Sequence, residues 1–217
     1  MIKIQPIVKE IVQKELEAYI ALTEGYMNMS SYAYKIKPEV EIITKKKVTI
    51  TSLVVSLSRI KKELKKQQPL IRDIEIKNIT TKLPITEIVY DNSEKFIEEL
   101  GTLHKEISLS REDFFVSTSS INEMNIIVSS KVASKVIKHF KNKPKIINHN
   151  FAAIGISFGS ENFGTPNVFF SLISVMARAR INIEELVSTS TELIFIIAEK
   201  DFTQTVSLFS KLYKEEN

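Results

Sequence analysis

Over the first 66 residues the apolar positions recur at helical spacing. After Pro6, the residues Ile7, Val8, Ile11, Val12, Leu16 and Ile20 share a face, which predicts one amphipathic helix running to about Thr23 and stopped by Gly25. A second helix is predicted from near Ser30, capped by Ser30-Ser31, carrying Tyr32, Ala33 and Ile36, and interrupted or restarted at Pro38. A third, capped by Thr49 or Thr51, aligns Leu53, Val54, Leu57, Ile60 and Leu64 over Ser56, Ser58, Arg59, Lys61 and Lys62. Three short helices make a small bundle. Lys65-Lys66-Gln67-Gln68-Pro69 then reads as a linker, because the charges lose periodicity and Pro69 resists helix.

Beyond the linker the pattern changes. Val116-Ser-Thr-Ser119 returns as Val187-Ser-Thr-Ser190, 71 residues later, and each copy is followed by a strand-like run, Met124 to Val128 and Leu193 to Ala198. An amphipathic helix follows each run, with Val132, Val136 and Phe140 in one and Phe202, Val206, Phe209 and Tyr213 in the other. Upstream, Ile85 to Tyr90 and Ala152 to Phe158 are strand candidates leading into helices near Ser93 to Lys105 and Pro166 to Arg180. The repeated order, strand, helix, strand, strand, helix, is a ferredoxin-like unit short of its last strand. Lys145-Ile-Ile-Asn148 supplies that strand for the first unit. The second unit has no chain left for one, so the spare run Ile74 to Ile79 is inferred to cross over and complete it, nesting the first unit inside the second.

Gly164-Thr-Pro-Asn-Val168, Ala179-Arg-Ile-Asn-Ile-Glu184 and Val187-Ser-Thr-Ser190 together resemble an ACT domain of the aspartokinase type: a loop before the first helix, a small-residue helix, an "IN" dipeptide and an "STS" strand. The resemblance covers roughly Arg72 onward. It implies an α+β protein with two nested ferredoxin-like (βαββαβ) ACT modules, one assembled from 72–79 and 151–217 and the other from 85–150, behind a basic helical domain over 1–66. It also implies binding of an amino acid or similar small metabolite at paired modules and relay of the signal to an enzyme or a DNA-binding domain. The first copy has Lys82-Leu-Pro84 and Asp91-Asn-Ser93 where the family places its glycine-containing loop and lacks the "IN" pair, so its ligand site is expected to be degenerate.

The loop chemistry leads to the same expectation on its own. Gly159 and Gly164 flank Ser160 to Phe163, Pro166 stands at a first helical position and Thr165 at a cap. The free N–H groups of a helix start attract a carboxylate. The candidate ligand site is therefore Asn162, Gly164, Thr165, Asn167, Val168 and Asn182, with backbone N–H groups near Asn167 and Val168 on the carboxylate and the polar side chains on the rest; the alternative is a capped glycine turn with no ligand. The G-x-x-x-x-G spacing is not a phosphate loop, since Thr165-Pro166 replaces its Lys and Ser/Thr. Ser188 and Thr189 are assigned to sheet and interface.

Charge divides the chain. Met1 to Lys66 holds 13 Lys/Arg against 7 Asp/Glu, a net of +6, while the rest holds 17 against 19, a net of −2. Such asymmetry suggests a polyanion for the front end, with a solvated face as the bland alternative. Met29 to Ile36 followed by Thr49 to Arg59 loosely resembles a helix-turn-helix whose third helix presents Thr51, Ser52, Ser56, Arg59 and Lys62 to DNA, with Lys45, Lys46 and Lys47 on phosphates. The spacer is longer than the usual turn. The alternative output is docking on a biosynthetic enzyme.

No cysteine is present, which excludes disulfides, thiolate catalysis and Cys-type zinc sites. His104, His139 and His149 lie in no metal-ligand spacing, no catalytic elbow or zinc-helix pattern occurs, and adjacent pairs such as Glu98-Glu99 and Glu184-Glu185 diverge on helix or strand. The expectations are a non-catalytic, cofactor-free, cytoplasmic regulator with no membrane span, acting as a homo-oligomer, most simply a dimer.

Overall fold

The computed structural model describes residues 3–106, 110 and 112–213, in two units, Met1–Arg72 and Asp73–Asn217. The N-terminal unit has four helices where three are predicted. The first helical run divides into α1 (Ile4–Lys14) and α2 (Leu16–Glu24) because Glu15 between them is extended, φ −100° and ψ 104°. Its carboxylate is occupied elsewhere, accepting from Tyr32 Oη at 3.1 Å and Lys35 Nζ at 2.8 Å. Both partners sit on α3 (Met29–Thr44), which is capped by Asn28, whose Oδ1 accepts from Ser31 N, rather than by Ser30-Ser31. Pro38 does not interrupt α3: the carbonyl it leaves without an N–H partner is that of Tyr34, and both residues are exposed. Thr49 caps α4 (Ile50–Leu64), accepting from Ser52 N. Val8, Val12, Leu22, Ala33, Val40, Leu53, Leu57 and Ile60 are fully buried in a single core.

The second unit contains one antiparallel sheet of six strands in the order β2-β3-β1-β4-β6-β5. Two of them are longer than predicted. β1 (Ile76–Asp91) fuses the runs at 74–79 and 85–90, and β4 (Ile146–Phe158) fuses those at 145–148 and 152–158. The others are β2 (Phe115–Ser119), β3 (Glu123–Ser129), β5 (Glu185–Ser188) and β6 (Glu192–Ala198), with helices α5 (Glu94–Glu106), α6 (Ser130–His139), α7 (Val168–Arg178) and α8 (Phe202–Ser210) between and after them.

Nesting is built into the two long strands. The early half of β1 pairs with the late half of β4, which pairs with β6, while the late half of β1 pairs with β3 and with the early half of β4. Each long strand thus serves as first strand of one βαββαβ unit and last strand of the other. The expected α+β fold with nested ferredoxin-like units behind a helical bundle is what forms, with the two sheets merged into one. The joint is irregular: the register shifts on either side of Ile85, and Asn150 takes a left-handed φ of 65°.

Two helix-facing cores lie on one side of the sheet. Ala152, Ile154, Ile156, Leu193, Phe195 and Ile197 pack with Leu172, Met176 and Phe209; Ile88, Tyr90, Ile126 and Val128 pack with Phe96, Leu103, Val136 and Phe140. Phe96 stacks on Phe140 at 4.1 Å. The other side carries a smaller cluster of Ile85, Ile127, Ala153 and Ile196. The four come from the adjacent strands β1, β3, β4 and β6, and the sheet rolls about them. Its two edges approach as a result, and Asn125 on β3 donates to Glu185 on β5.

The repeat is offset between sequence and structure. Ser119 pairs with Met124 at the end of one hairpin and Ser188 with Leu193 at the end of the other, an offset of 69 residues against 71 for the Val-Ser-Thr-Ser motif.

Candidate functional site

After Phe158 the chain forms a short 3-10 turn, Ser160–Asn162, and then closes a tight loop: Asn162 N donates to Gly159 O, Phe163 N to Ser160 O and Thr165 N to Asn162 O, at 3.0, 3.0 and 3.1 Å. Gly164 takes φ 68°, a left-handed conformation that a side chain disfavours. Asn167 is also left-handed, φ 70° and ψ 7°, and is the N-cap of α7; its carbonyl accepts from Ser171 N at 2.9 Å and Ser171 Oγ at 2.7 Å. The helix begins at Val168. Pro166 therefore precedes the helix instead of opening it, and Thr165 does not cap: its Oγ1 lies 3.3 Å from Glu161 O. With left-handed residues at 164 and 167, the helix starts two residues later than the Thr-Pro pair suggests.

These elements surround a cavity of about 380 Å³. Asn162, Gly164, Thr165, Asn167 and Val168 line it, with Phe158, Phe163, Phe169 and Phe170 on its apolar side and Thr189 and Ser190 from the β5–β6 turn. The first-turn N–H groups of α7 have no carbonyl within the helix to bond, so the site offers amide donors at the positive end of an 11-residue helix dipole. Asn182 does not join it; that side chain is exposed and donates to Glu184 Oε1 at 2.8 Å. Thr189, assigned to the sheet from sequence, instead faces the cavity with Ser190, whereas Ser188 ends β5.

The first module is closed at the equivalent place. Only Asn92 and Ser93 connect β1 to α5, Ser93 Oγ caps the helix at Phe96 N, and the Asn92 amide is bonded to Ser119 Oγ at 3.2 Å and Ser120 O at 2.6 Å. Asn92 spans the gap that in the second module is open between loop and hairpin turn.

No family model and no curated protein matches the sequence. Solved structures do match. The ligand-free regulatory subunit of aspartate kinase from Thermus thermophilus aligns with TM-score 0.53 and 12% identity, over 64% of this chain and 99% of its own. Aspartate kinases from Clostridium acetobutylicum and Synechocystis align at TM-scores of 0.55 and 0.52, with 16% and 10% identity, over 66% and 70% of this chain. Over about two thirds of the chain the fold is similar to that of the aspartate kinase regulatory subunit. At such identities the likeness is one of fold, and this chain spans 36% and 30% of the lengths of the two whole kinases.

The N-terminal candidates are partly brought together. Lys45, Lys46 and Lys47 are exposed in the five-residue connection from α3 to α4, and Thr51, Arg59 and Lys62 are exposed along α4. Ser52 is half-buried, and Ser56 is buried at 9% exposure, its hydroxyl donating to Ser52 O at 2.9 Å, so Ser56 cannot reach a nucleic acid. No helix among the described residues is long and apolar enough to cross a membrane. Nor does any group of three His, Asp or Glu among them suit a metal ion. His139 Nε2 is 2.8 Å from Glu99 O and His149 Nδ1 is 3.2 Å from Thr86 Oγ1, both away from the cavity; the His104 side chain lies outside the described residues.

One polar cluster escaped the sequence reading. Asn125 Nδ2 bridges two carboxylates, Glu87 Oε1 at 2.8 Å and Glu185 Oε2 at 3.0 Å, and Asn148 Nδ2 donates to Glu87 Oε2 at 2.7 Å. Burial raises the Glu185 carboxyl above its usual range, and the Glu87 charge adds to the shift. The three residues stand 38 and 60 positions apart. Adjacent-pair reasoning cannot find such a cluster, because only the rolled sheet assembles it.

Proposed function

We propose that this chain is a non-catalytic regulatory protein that binds a free amino acid or closely similar metabolite in the cavity at the start of α7. The observation that carries the reading is the cavity itself: a helix amino terminus for a carboxylate, the polar side chains of Asn162, Thr165, Asn167 and Thr189 for an ammonium group, and four phenylalanines for what remains. Those phenylalanines favour an apolar side chain on the ligand. The module concerned is the one made from 72–79 and 151–217, with the module at 85–150 closed by Asn92 and unliganded. Support for a regulatory role comes from the fold shared with a protein described as a regulatory subunit of aspartate kinase. On that reading the chain acts as a free-standing regulatory subunit on a partner enzyme, as a homodimer joined through its exposed edge strands.

Thermal unfolding against the common amino acids tests the sensor. A ligand at 100 times its dissociation constant stabilises the folded state by roughly 2.7 kcal/mol. Thr165→Ala with Asn167→Gly should abolish the shift, since glycine keeps the left-handed backbone while removing the side chain. A shift that survives both changes refutes the site.

A second output, DNA binding, is favoured by one observation: the exposed Lys45, Lys46, Lys47, Thr51, Arg59 and Lys62 all belong to α4 or the connection leading into it. It requires salt-sensitive affinity for duplex DNA that falls when Lys45 to Lys47 and Arg59 are neutralised. Regulation unaffected by those changes refutes it and leaves the enzyme partner.

A further inference from the structure

On the face of the sheet turned away from the helices lies a second cavity, of about 240 Å³. The register makes its floor. Thr80 pairs with Gly155, Gly155 with Ile194, Lys82 with Ala153 and Ser157 with Glu192, so Thr80, Lys82, Gly155 and Glu192 point to this one face. The roof is the segment Glu112 to Phe114 ahead of β2. That segment is anchored: Asp113 accepts from Ser110 N and Oγ at 2.9 and 2.8 Å and pairs with Lys131 at 2.8 Å, and Phe114 N donates to Ser129 Oγ. Floor and roof therefore come from different modules.

The floor is shaped by a missing side chain. Thr80 Oγ1 donates to Glu192 Oε1 at 3.0 Å across β4, and a Cβ on Gly155 would fall 2.4 Å from the first and within the same range of the second. Only glycine lets the two strands' side chains meet there. Glu192 Oε2 accepts nothing among the described residues, and Lys82, a half-buried residue, takes part in no ion pair or hydrogen bond among them. Lys82 on β1 and Glu192 on β6 thus line one cavity, one with an unpaired ammonium and the other with an unpaired carboxylate oxygen, and Thr80 holds the Glu192 carboxylate over β4.

We propose that this cavity is a second binding site, for a small zwitterion whose carboxylate meets Lys82 and whose ammonium group meets Glu192. Its volume lies below the roughly 300–1,000 Å³ of sites for drug-sized ligands, which suits a single free amino acid. The ligand bridges the two modules by touching β1, β6 and the roof together. Occupancy of the first cavity is not required.

Isothermal titration of the full chain with each of the twenty common L-amino acids tests the proposal, repeated on Lys82→Met, Glu192→Gln and Thr189→Trp. Thr189 sits in an exposed turn, where a tryptophan fills the first cavity without entering a core. The expected result is one amino acid whose binding falls about tenfold or more in Lys82→Met and in Glu192→Gln and persists in Thr189→Trp. Circular dichroism of both near-isosteric variants should match the parent. Binding untouched by Lys82→Met and Glu192→Gln overturns the second site, as does loss of all binding in Thr189→Trp, which leaves the first cavity standing. Binding that is lost only in the Lys82 and Glu192 variants upholds it and removes the first.

Discussion

Replacing Asn125 by Ala should destabilise the strand unit through one identifiable interaction. The amide hydrogen bonds to Glu87 and Glu185 are of the kind made to charged groups, about 1.5–3 kcal/mol each, so their joint loss is about 3–6 kcal/mol. Three terms offset this. Glu87 keeps its bond from Asn148, and the partly buried Glu185 can turn toward water. Asn125 Oδ1 is also buried with no partner, and deleting it recovers about 1–3 kcal/mol. The net expectation is centred on about 2–3 kcal/mol within a span of about 0–5 kcal/mol at neutral pH. The dependence on pH separates this account from simple loss of packing. Because the folded-state pKa of Glu185 is raised, that carboxyl takes up its proton early as pH falls, and the charge it sets against Glu87 is then gone. The Ala variant should therefore lose less at mildly acid pH than at pH 7. Urea unfolding of the full chain, followed by peptide-resolved hydrogen exchange, reads the strands separately from the N-terminal helices. At a slope of about 1–3 kcal/mol per molar, the midpoint should move by about 1 M with the slope unchanged. A midpoint shift under about 0.3 M, or one identical at both pH values, refutes the bridge.

Glu185→Gln should stabilise the protein at neutral pH and flatten its pH dependence. A raised carboxyl contributes stability below its unfolded pKa and loses it as pH rises through the folded value, which urea midpoints across pH 4 to 7 will show. Asp113 acts in the opposite direction and in a lower window: Lys131 and then Ser110 hold it down to about 2, so its contribution is present above the ordinary Asp range and disappears on acidification toward pH 2, a step that Asp113→Asn removes. Gly164→Ala meets no atom within 4 Å, so its cost of about 1–2 kcal/mol is backbone strain alone and should appear in the urea midpoint with the cavity still accessible. Leu57→Ala, at a fully buried site, should cost about 2–5 kcal/mol in the exchange of α1 to α4 and leave the strands unaffected.

Periodicity made most of the elements legible. Helical spacing of Leu53, Leu57, Ile60 and Leu64 placed α4 almost to the residue, and the repeated Val-Ser-Thr-Ser motif with an apolar run after each copy placed the two hairpins. The errors occur where tertiary contacts overrule a local signal. Glu15 looks like mid-helix, and only its bonds to Tyr32 and Lys35 reveal the break. Thr165-Pro166 has the composition of a helix start, yet the left-handed Gly164 and Asn167 set the start at Val168. Ser56 looks like a polar surface position because a buried serine that satisfies itself on its own helix leaves no trace in the pattern.

The repeat shows how a correct topology can rest on a misaligned motif. Strand side chains alternate with period two, so sliding one hairpin against the other by two residues leaves every inward position inward. The Val-Ser-Thr-Ser copies therefore share parity at a spacing of 71 although the hairpins superpose at 69, and the order of elements read from them was right for a reason that one extra residue of offset would have destroyed. Function is less forgiving. With the hairpins aligned at 69, Ser120 corresponds to Thr189: the first is held by Asn92 through its carbonyl, and the second faces the cavity. Aligned at 71, Thr118 would correspond to Thr189, and Thr118 pairs with Asn125 inside the sheet, the place expected for Thr189 from sequence. A two-residue slip that is invisible to packing was enough to hide a cavity residue, and the asymmetry of the modules lies in the segment before the helix, two residues in one and nine in the other.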